Sequence, residues 1–132
     1  MTFTRFEHDT AGTHAEFHAR NRIIDMIADQ HGFLWMTTLK GLYKFSLINF
    51  GFTCYLVDTS DLHSFTANHL GPITFDTEGD LWVSLYGKGV FQFDTNAHQF
   101  IPVELPNIDL SSAMKQVNDM QCDKRGNIWV AS

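Results

Sequence analysis

A seven-residue pattern recurs three times in this chain of 132 residues, at a spacing of 47 residues. Each copy reads Asp-x-x-Gly-x-(Leu/Ile)-Trp, and four columns stay in register over the three copies. Such self-similarity is typical of repeat architectures, in which one supersecondary unit stacks on the next. The structural positions of the repeat are Asp29, Gly32 and Trp35; Asp76, Gly79 and Trp82; and Asp123, Gly126 and Trp129.

Each repeat is predicted to form four short strands. In the first complete copy these are Arg22–Ala28, Leu34–Thr37, Leu42–Phe45 and Phe52–Leu56. The first segment also has a helical spacing of apolar residues, but its second copy carries Pro72, which would disrupt a helix interior. The Asp-x-x-Gly segment predicts a tight turn, because aspartate can bind nearby backbone amides and glycine can adopt a positive φ.

Four antiparallel strands in 47 residues match the size of a propeller blade. The predicted fold class is therefore all-β, a β-propeller fragment of four-stranded antiparallel blades in an incomplete ring. We expect an outer strand of a preceding blade and a connector in 1–20, one blade in 21–67, a second in 68–114 and the start of a further blade in 115–132. Uncovered blade faces and an open edge strand predict that such a fragment self-associates.

The repeats resemble the two-component regulator propeller repeat of the periplasmic sensor region of bacterial hybrid two-component histidine kinases. The resemblance covers Asn21–Phe45, Leu70–Phe93 and Val117–Ser132. It implies an extracytoplasmic segment of an inner-membrane protein that recognises a carbohydrate or other environmental ligand and signals across the membrane. It also implies that the segment has no catalysis of its own, and that the remaining propeller blades of the parent are its partners.

The loops that precede the first strand and link the second strand to the third are where propellers usually meet ligands. The ligand-binding residues predicted there are Arg22, Lys40, His69, Tyr86 and Lys88. Cationic and aromatic side chains can bind sugar hydroxyls or acidic groups. The competing interpretation is that these are ordinary exposed loop residues.

Composition excludes several other classes of function. Fifteen acidic residues against nine basic ones give a net charge of −6, which argues against nucleic acid and against an anionic membrane surface as partners. No apolar run approaches the roughly 20 residues of a membrane-spanning helix, and residues 1–20 lack the pattern of a signal peptide.

No catalytic residue, cofactor or metal ligand is predicted. Each Asp-x-x-Gly turn supplies too few oxygen ligands in the right spacing for a calcium loop. His14 and His18 have a helical zinc spacing, but they lie in a connector and lack supporting ligands, so we interpret them as solvated. Cys54 and Cys122 occupy different columns of the repeat and do not form a disulfide framework.

Two alternatives to a sensor stay open at this stage. One is a propeller-type lyase or hydrolase acting on glycans or lactones, which a histidine and an acid clustered on the central face would favour. The other is a non-catalytic scaffold for protein partners, which would show no ligand-dependent change in melting temperature.

Overall fold

The computed structural model describes residues 22–57, 69–103 and 116–132. In these ranges the chain forms ten β-strands, namely β1 (Ile23–Ala28), β2 (Phe33–Thr38), β3 (Gly41–Ser46), β4 (Phe52–Tyr55), β5 (Leu70–Phe75), β6 (Leu81–Leu85), β7 (Gly89–Asp94), β8 (Gln99–Pro102), β9 (Asp119–Cys122) and β10 (Ile128–Ala131). The outer strand expected in 1–20 and the pair His14 and His18 lie outside the described residues.

The strands form two antiparallel four-stranded sheets and one two-stranded pair. The first sheet has the order β1-β2-β3-β4, the second has the order β5-β6-β7-β8, and β9 pairs with β10. The first strands of successive sheets contact one another, β1 with β5 and β5 with β9. These sheets are blades of a β-propeller, so the predicted fold class is confirmed, and the segment beginning at Arg22 contains a strand rather than a helix. The exact blade boundaries stay a prediction.

The Asp-x-x-Gly turn has the same hydrogen bonds in all three copies. Oδ1 of Asp29 accepts hydrogen bonds from the amides two and four residues on, at 2.8 and 2.9 Å, and Oδ2 accepts one from the indole of Trp35 at 3.0 Å. Asp76 and Asp123 repeat these bonds. The turn glycines have φ of 85°, 91° and 83°. Each aspartate therefore shapes its hairpin and holds its tryptophan at the same time.

The main core lies between the first two blades. Trp35 of the first blade is 2% exposed, and its ring centroid lies 5.7 Å from that of Phe93 in the second blade. Tyr55 contacts both rings, at 6.0 and 5.0 Å. Lys44 lies on the same side, with its Nζ 3.9 Å above the ring of Phe33. The interface is thus an aromatic cluster with one cation stacked on its rim.

The tryptophan column becomes more exposed along the chain. Trp35 is buried, Trp82 is half-buried and Trp129 is 66% exposed. Trp35 therefore packs between blades, whereas Trp129 is largely open to solvent. Met120 pairs with Val130 and faces the second blade, whereas Trp129 pairs with Gln121 and faces the opposite way.

The turn aspartates predict a loss of stability in acid. In Asp29 and Asp76 partial burial raises the pKa, but hydrogen bonds from backbone amides and from the indole outweigh it, so the pKa falls below the usual 3.8. The unfolded chain then binds protons more tightly, so the stabilisation is complete above about pH 4 and is lost as the pH falls through the folded pKa. We expect the urea concentration at the unfolding midpoint to decrease when the pH is lowered from about 5 to about 2.5.

Two variants test the cause of this acid effect, and the measurement is the slope of the urea midpoint plotted against pH. The double variant Asp29→Asn and Asp76→Asn should flatten the slope. Glu78→Gln should preserve it, because the Glu78 carboxylate forms no hydrogen bond in the part of the chain that the structure describes. An unchanged slope in the double variant would show that other groups cause the acid sensitivity.

Candidate functional site

A cavity of about 420 Å³ opens where the first strands of the three sheets begin. Its size is in the range of small-molecule sites. The lining comes from the first blade, the second blade and the β9–β10 pair, and consists of Ile24 and Asp25; His69, Gly71, Pro72, Ser84 and Tyr86; and Gln116, Val117, Asn118 and Asp119. Most of these residues occupy the same few columns of the repeat, so three successive copies surround one cavity.

A longer turn in the second blade brings an aromatic side chain to the cavity. The β2–β3 turn has two residues, because Thr38 pairs with Gly41, whereas the β6–β7 turn has three, because Leu85 pairs with Gly89. The amide of Tyr86, the first residue of that turn, donates a hydrogen bond to the carbonyl of His69 at 2.9 Å. The second blade thus presents Tyr86 from a turn that is one residue longer than its counterpart in the first blade.

Tyr86 and His69 form a stacked pair at the rim. Their ring centroids are 5.0 Å apart with an interplanar angle of 12°, and Tyr86 is 46% exposed. Burial, and secondarily the charge of Arg22, lowers the pKa of His69 below its usual 6.5. The imidazole is therefore neutral at neutral pH. The pair is an aromatic platform without a charge of its own.

Two carboxylates reach the cavity from the blades on either side of the second one. Oδ2 of Asp25 accepts a hydrogen bond from the amide of Ile73 across the blade interface at 3.1 Å. Asp119 occupies the equivalent column two repeats later, and its Oδ1 accepts a hydrogen bond from the amide of Met120 at 2.8 Å. Pro72 stands at this position in the second blade, so the column reads acid, proline, acid.

Ser84 contributes a hydroxyl to the wall of the cavity. It is 3% exposed, and its side chain has no hydrogen-bond partner among the residues that the structure describes. Its counterpart Thr37 in the first blade instead donates to the carbonyl of Asp25 at 3.4 Å. Gly71 leaves room for the Ser84 hydroxyl, because a Cβ at that glycine would collide with it. A hydroxyl without a partner on the wall of a cavity can bind a polar group of a ligand.

The structure brings together two of the five predicted ligand-binding residues. His69 and Tyr86 line the cavity, whereas Arg22 acts on it through its charge on His69. Lys40 and Lys88 are not among the lining residues.

Sequence reasoning missed the polar residues of the strands, Asp25, Ser84 and Asp119, because it searched only the loops. The difference between repeats in the column of Asp25 and Asp119 was the signal that could have found them.

Other chemistry is sparse in the described part of the chain. Cys54 and Cys122 are both free thiols. No group of three or more histidine, cysteine, aspartate or glutamate residues in residues 22–57, 69–103 and 116–132 could hold a metal ion. Within those same ranges, none of the structure is a helix long and apolar enough to cross a membrane.

The sheets, their stacking and the shared cavity define a segment of a β-propeller. The chain is similar in structure to the extracellular domain of the B. thetaiotaomicron protein BT4673, described as a one component system, with a TM-score of 0.64 and 24% identity. It is also similar in structure to the extracellular domain of BT3049 from the same organism, described as a hybrid two component system, with a TM-score of 0.64 and 22% identity.

These two matches concern a small part of much longer chains. They cover 85% and 83% of this chain, but only 16% and 14% of the solved ones. No protein-family model and no curated protein matches the chain. At this level of identity the likeness shows the fold.

Proposed function

We propose that the chain is a ligand-sensing, extracytoplasmic propeller segment of a two-component sensor, and that it signals across the membrane by recognising a carbohydrate or another environmental ligand. The observation that carries this proposal is the cavity in which three successive blades meet. The two similar solved structures support it, since both are extracellular domains of signalling systems.

The lining of the cavity suits a small polyhydroxylated ligand. The exposed face of Tyr86 can stack on the apolar face of a sugar ring, as aromatic side chains do at the rims of binding sites. The carboxylates of Asp25 and Asp119 can accept hydrogen bonds from sugar hydroxyls, and the Ser84 hydroxyl can either donate or accept. The cavity therefore combines a stacking surface with several polar groups of fixed direction.

The position of the cavity also offers a route for signalling. A ligand held by residues of the first blade, the second blade and the β9–β10 pair would stabilise their contacts with one another. Binding energy at this point is then coupled to the relative placement of blades. The remaining blades of the parent propeller are the partners through which the change would pass to the rest of the sensor.

The test is to titrate pyranose mono- and disaccharides into the 132-residue chain and to detect binding through chemical-shift changes in its NMR spectrum. We expect at least one sugar to bind, and Tyr86→Ala to weaken its binding about five- to tenfold through loss of stacking. The matched control is Phe50→Ala, because Phe50 is also an exposed aromatic residue, at 56%, but lies in the β3–β4 turn outside the cavity lining.

Two results would contradict this function. The first is that no sugar of the panel binds. The second is that Tyr86→Ala and Phe50→Ala bind the sugar equally well, since ligand binding would then lie outside this cavity.

A second candidate function, a glycan lyase or hydrolase, is favoured by one observation. His69 lies in the same cavity as Asp25 and Asp119, and a neutral imidazole can accept a proton. Turnover separates the two functions. The sensor predicts that the spectrum of a bound disaccharide stays unchanged during prolonged incubation, whereas an enzyme would release products.

A further inference from the structure

We propose that the cavity selects a ligand with a positive charge, an amino sugar or another small ammonium compound, over neutral and acidic ligands of the same shape. The proposal deepens the function proposed above and rests on it. It differs from the sequence-based expectation of sugar hydroxyls or acidic groups bound by cationic side chains.

The first ground is the charge of the lining. Of the described residues that line the cavity, the only charged ones are Asp25 and Asp119, and none is a lysine or an arginine. Burial, and secondarily the charge of Arg22, lowers the pKa of His69 and keeps this residue neutral at neutral pH. The positive charge of Arg22 reaches the lining at His69, but the two carboxylates exceed it, so among the described residues the balance of charge at the cavity is negative. A negative site attracts a cation and opposes a second anion.

The second ground is the set of acceptors that the protein leaves open. Oδ1 of Asp119 accepts a hydrogen bond from Met120, but Oδ2 has no partner among the described residues. The hydroxyl of Ser84, a residue 3% exposed on the cavity wall, is also without a partner in those parts of the chain. An ammonium group carries three donors and no acceptor, so it suits a carboxylate and a hydroxyl together.

The third ground is the aromatic rim. Tyr86 stacks on His69 and remains 46% exposed. A cation over the face of a tyrosine ring is attracted by the negative charge of the π system. The same ring that stacks on a sugar can thus add to the preference for a positively charged one, whereas it would add nothing for a carboxylate ligand.

The experiment compares three sugars with one pyranose ring and different charges, glucosamine, glucose and glucuronate. At about pH 7 an amine of this kind is mostly protonated. We expect the 132-residue chain to bind glucosamine roughly fivefold more tightly than glucose, and to bind glucuronate more weakly than glucose. The advantage of glucosamine should shrink when the salt concentration rises, because salt screens partly exposed charges.

Two variants locate the preference. Asp119→Asn should lower the ratio of glucosamine affinity to glucose affinity to near one, because the amide has no charge. Its oxygen can still accept the hydrogen bond from Met120, so the strand should keep its local structure. Glu78→Gln removes the same charge from the β5–β6 turn, outside the cavity lining, and should retain the full advantage.

The possible outcomes distinguish the charge preference from the proposed function on which it rests. Equal binding of glucose and glucosamine, tighter binding of glucuronate, or an unchanged advantage in Asp119→Asn would overturn the charge preference and leave sugar recognition in place. Failure of all three sugars to bind would overturn both.

Discussion

Replacement of Trp35 by alanine is expected to lower the free energy of unfolding by about 3–5 kcal/mol. Trp35 is 2% exposed, and its ring packs on Phe93 of the next blade and on Tyr55. The substitution leaves a cavity between two rigid sheets, which cannot close by a small shift of side chains. It also removes the indole that binds Asp29. Urea unfolding followed by far-ultraviolet circular dichroism measures the loss.

The repeat supplies a matched control for this prediction. Trp129 occupies the same column and donates the same hydrogen bond to its turn aspartate at 2.9 Å, but it is 66% exposed. Trp129→Ala should therefore cost less than about 1 kcal/mol. The comparison separates packing from the turn hydrogen bond, because both variants lose the bond and only one loses the packing.

A conservative variant keeps the prediction testable if Trp35→Ala does not fold. Trp35→Phe retains most of the ring contacts and loses the hydrogen bond to Asp29, so we expect a loss of about 1–2 kcal/mol. Equal losses in Trp35→Ala and Trp129→Ala would show that Trp129 is also covered in solution. Self-association through its face of the β9–β10 pair would then be the explanation, and sedimentation at several concentrations would detect it.

The strands and turns could be predicted from the sequence because the interactions that form them are local. Asp29, its turn amides and Trp35 lie within seven residues, so one copy of the pattern already contains the whole turn. Three copies in register then distinguish a repeat from chance, and the proline at position 72 excludes a helix for the first strand. Local chemistry repeated at a fixed spacing is what a single sequence records best.

The cavity could be predicted only in part because its residues come from three repeats. His69 and Tyr86 lie in loops, where propeller ligands were expected, and the structure stacks them. Asp25 and Asp119 lie at the starts of different first strands, 94 residues apart, and no local pattern relates them to Ser84 on β6. Lys40 and Lys88 were expected beside the ligand because they are cationic residues in the loops that link the second strand to the third, but neither lines the cavity.

Replacement of Gly41 by alanine should lower the free energy of unfolding by about 3 kcal/mol. Gly41 begins β3 with φ of 145°, and a Cβ added there would lie 2.7 Å from the carbonyl oxygen of Tyr55. That oxygen belongs to the backbone of β4, where Tyr55 pairs with Leu42, so it cannot move without weakening the ladder. Thermal and urea unfolding of Gly41→Ala would measure the effect.

Gly89 is the matched control, because it begins β7 at the equivalent place in the second blade. Its φ is 96°, and a Cβ added there would meet nothing within 4 Å. Gly89→Ala therefore carries only the cost of the backbone conformation, about 1 kcal/mol, whereas Gly41→Ala carries that cost and a collision with the neighbouring strand. If the two substitutions lower the free energy of unfolding equally, β4 can move away from the added Cβ without loss of stability. The outer edge of the first blade is then less rigid than its strand pairing indicates. A larger decrease in the free energy of unfolding for Gly41→Ala would show that the contact between β3 and β4 is rigid. This contact holds Tyr55 against Phe93. It therefore links the outer strand of the first blade to the core that this blade shares with the second.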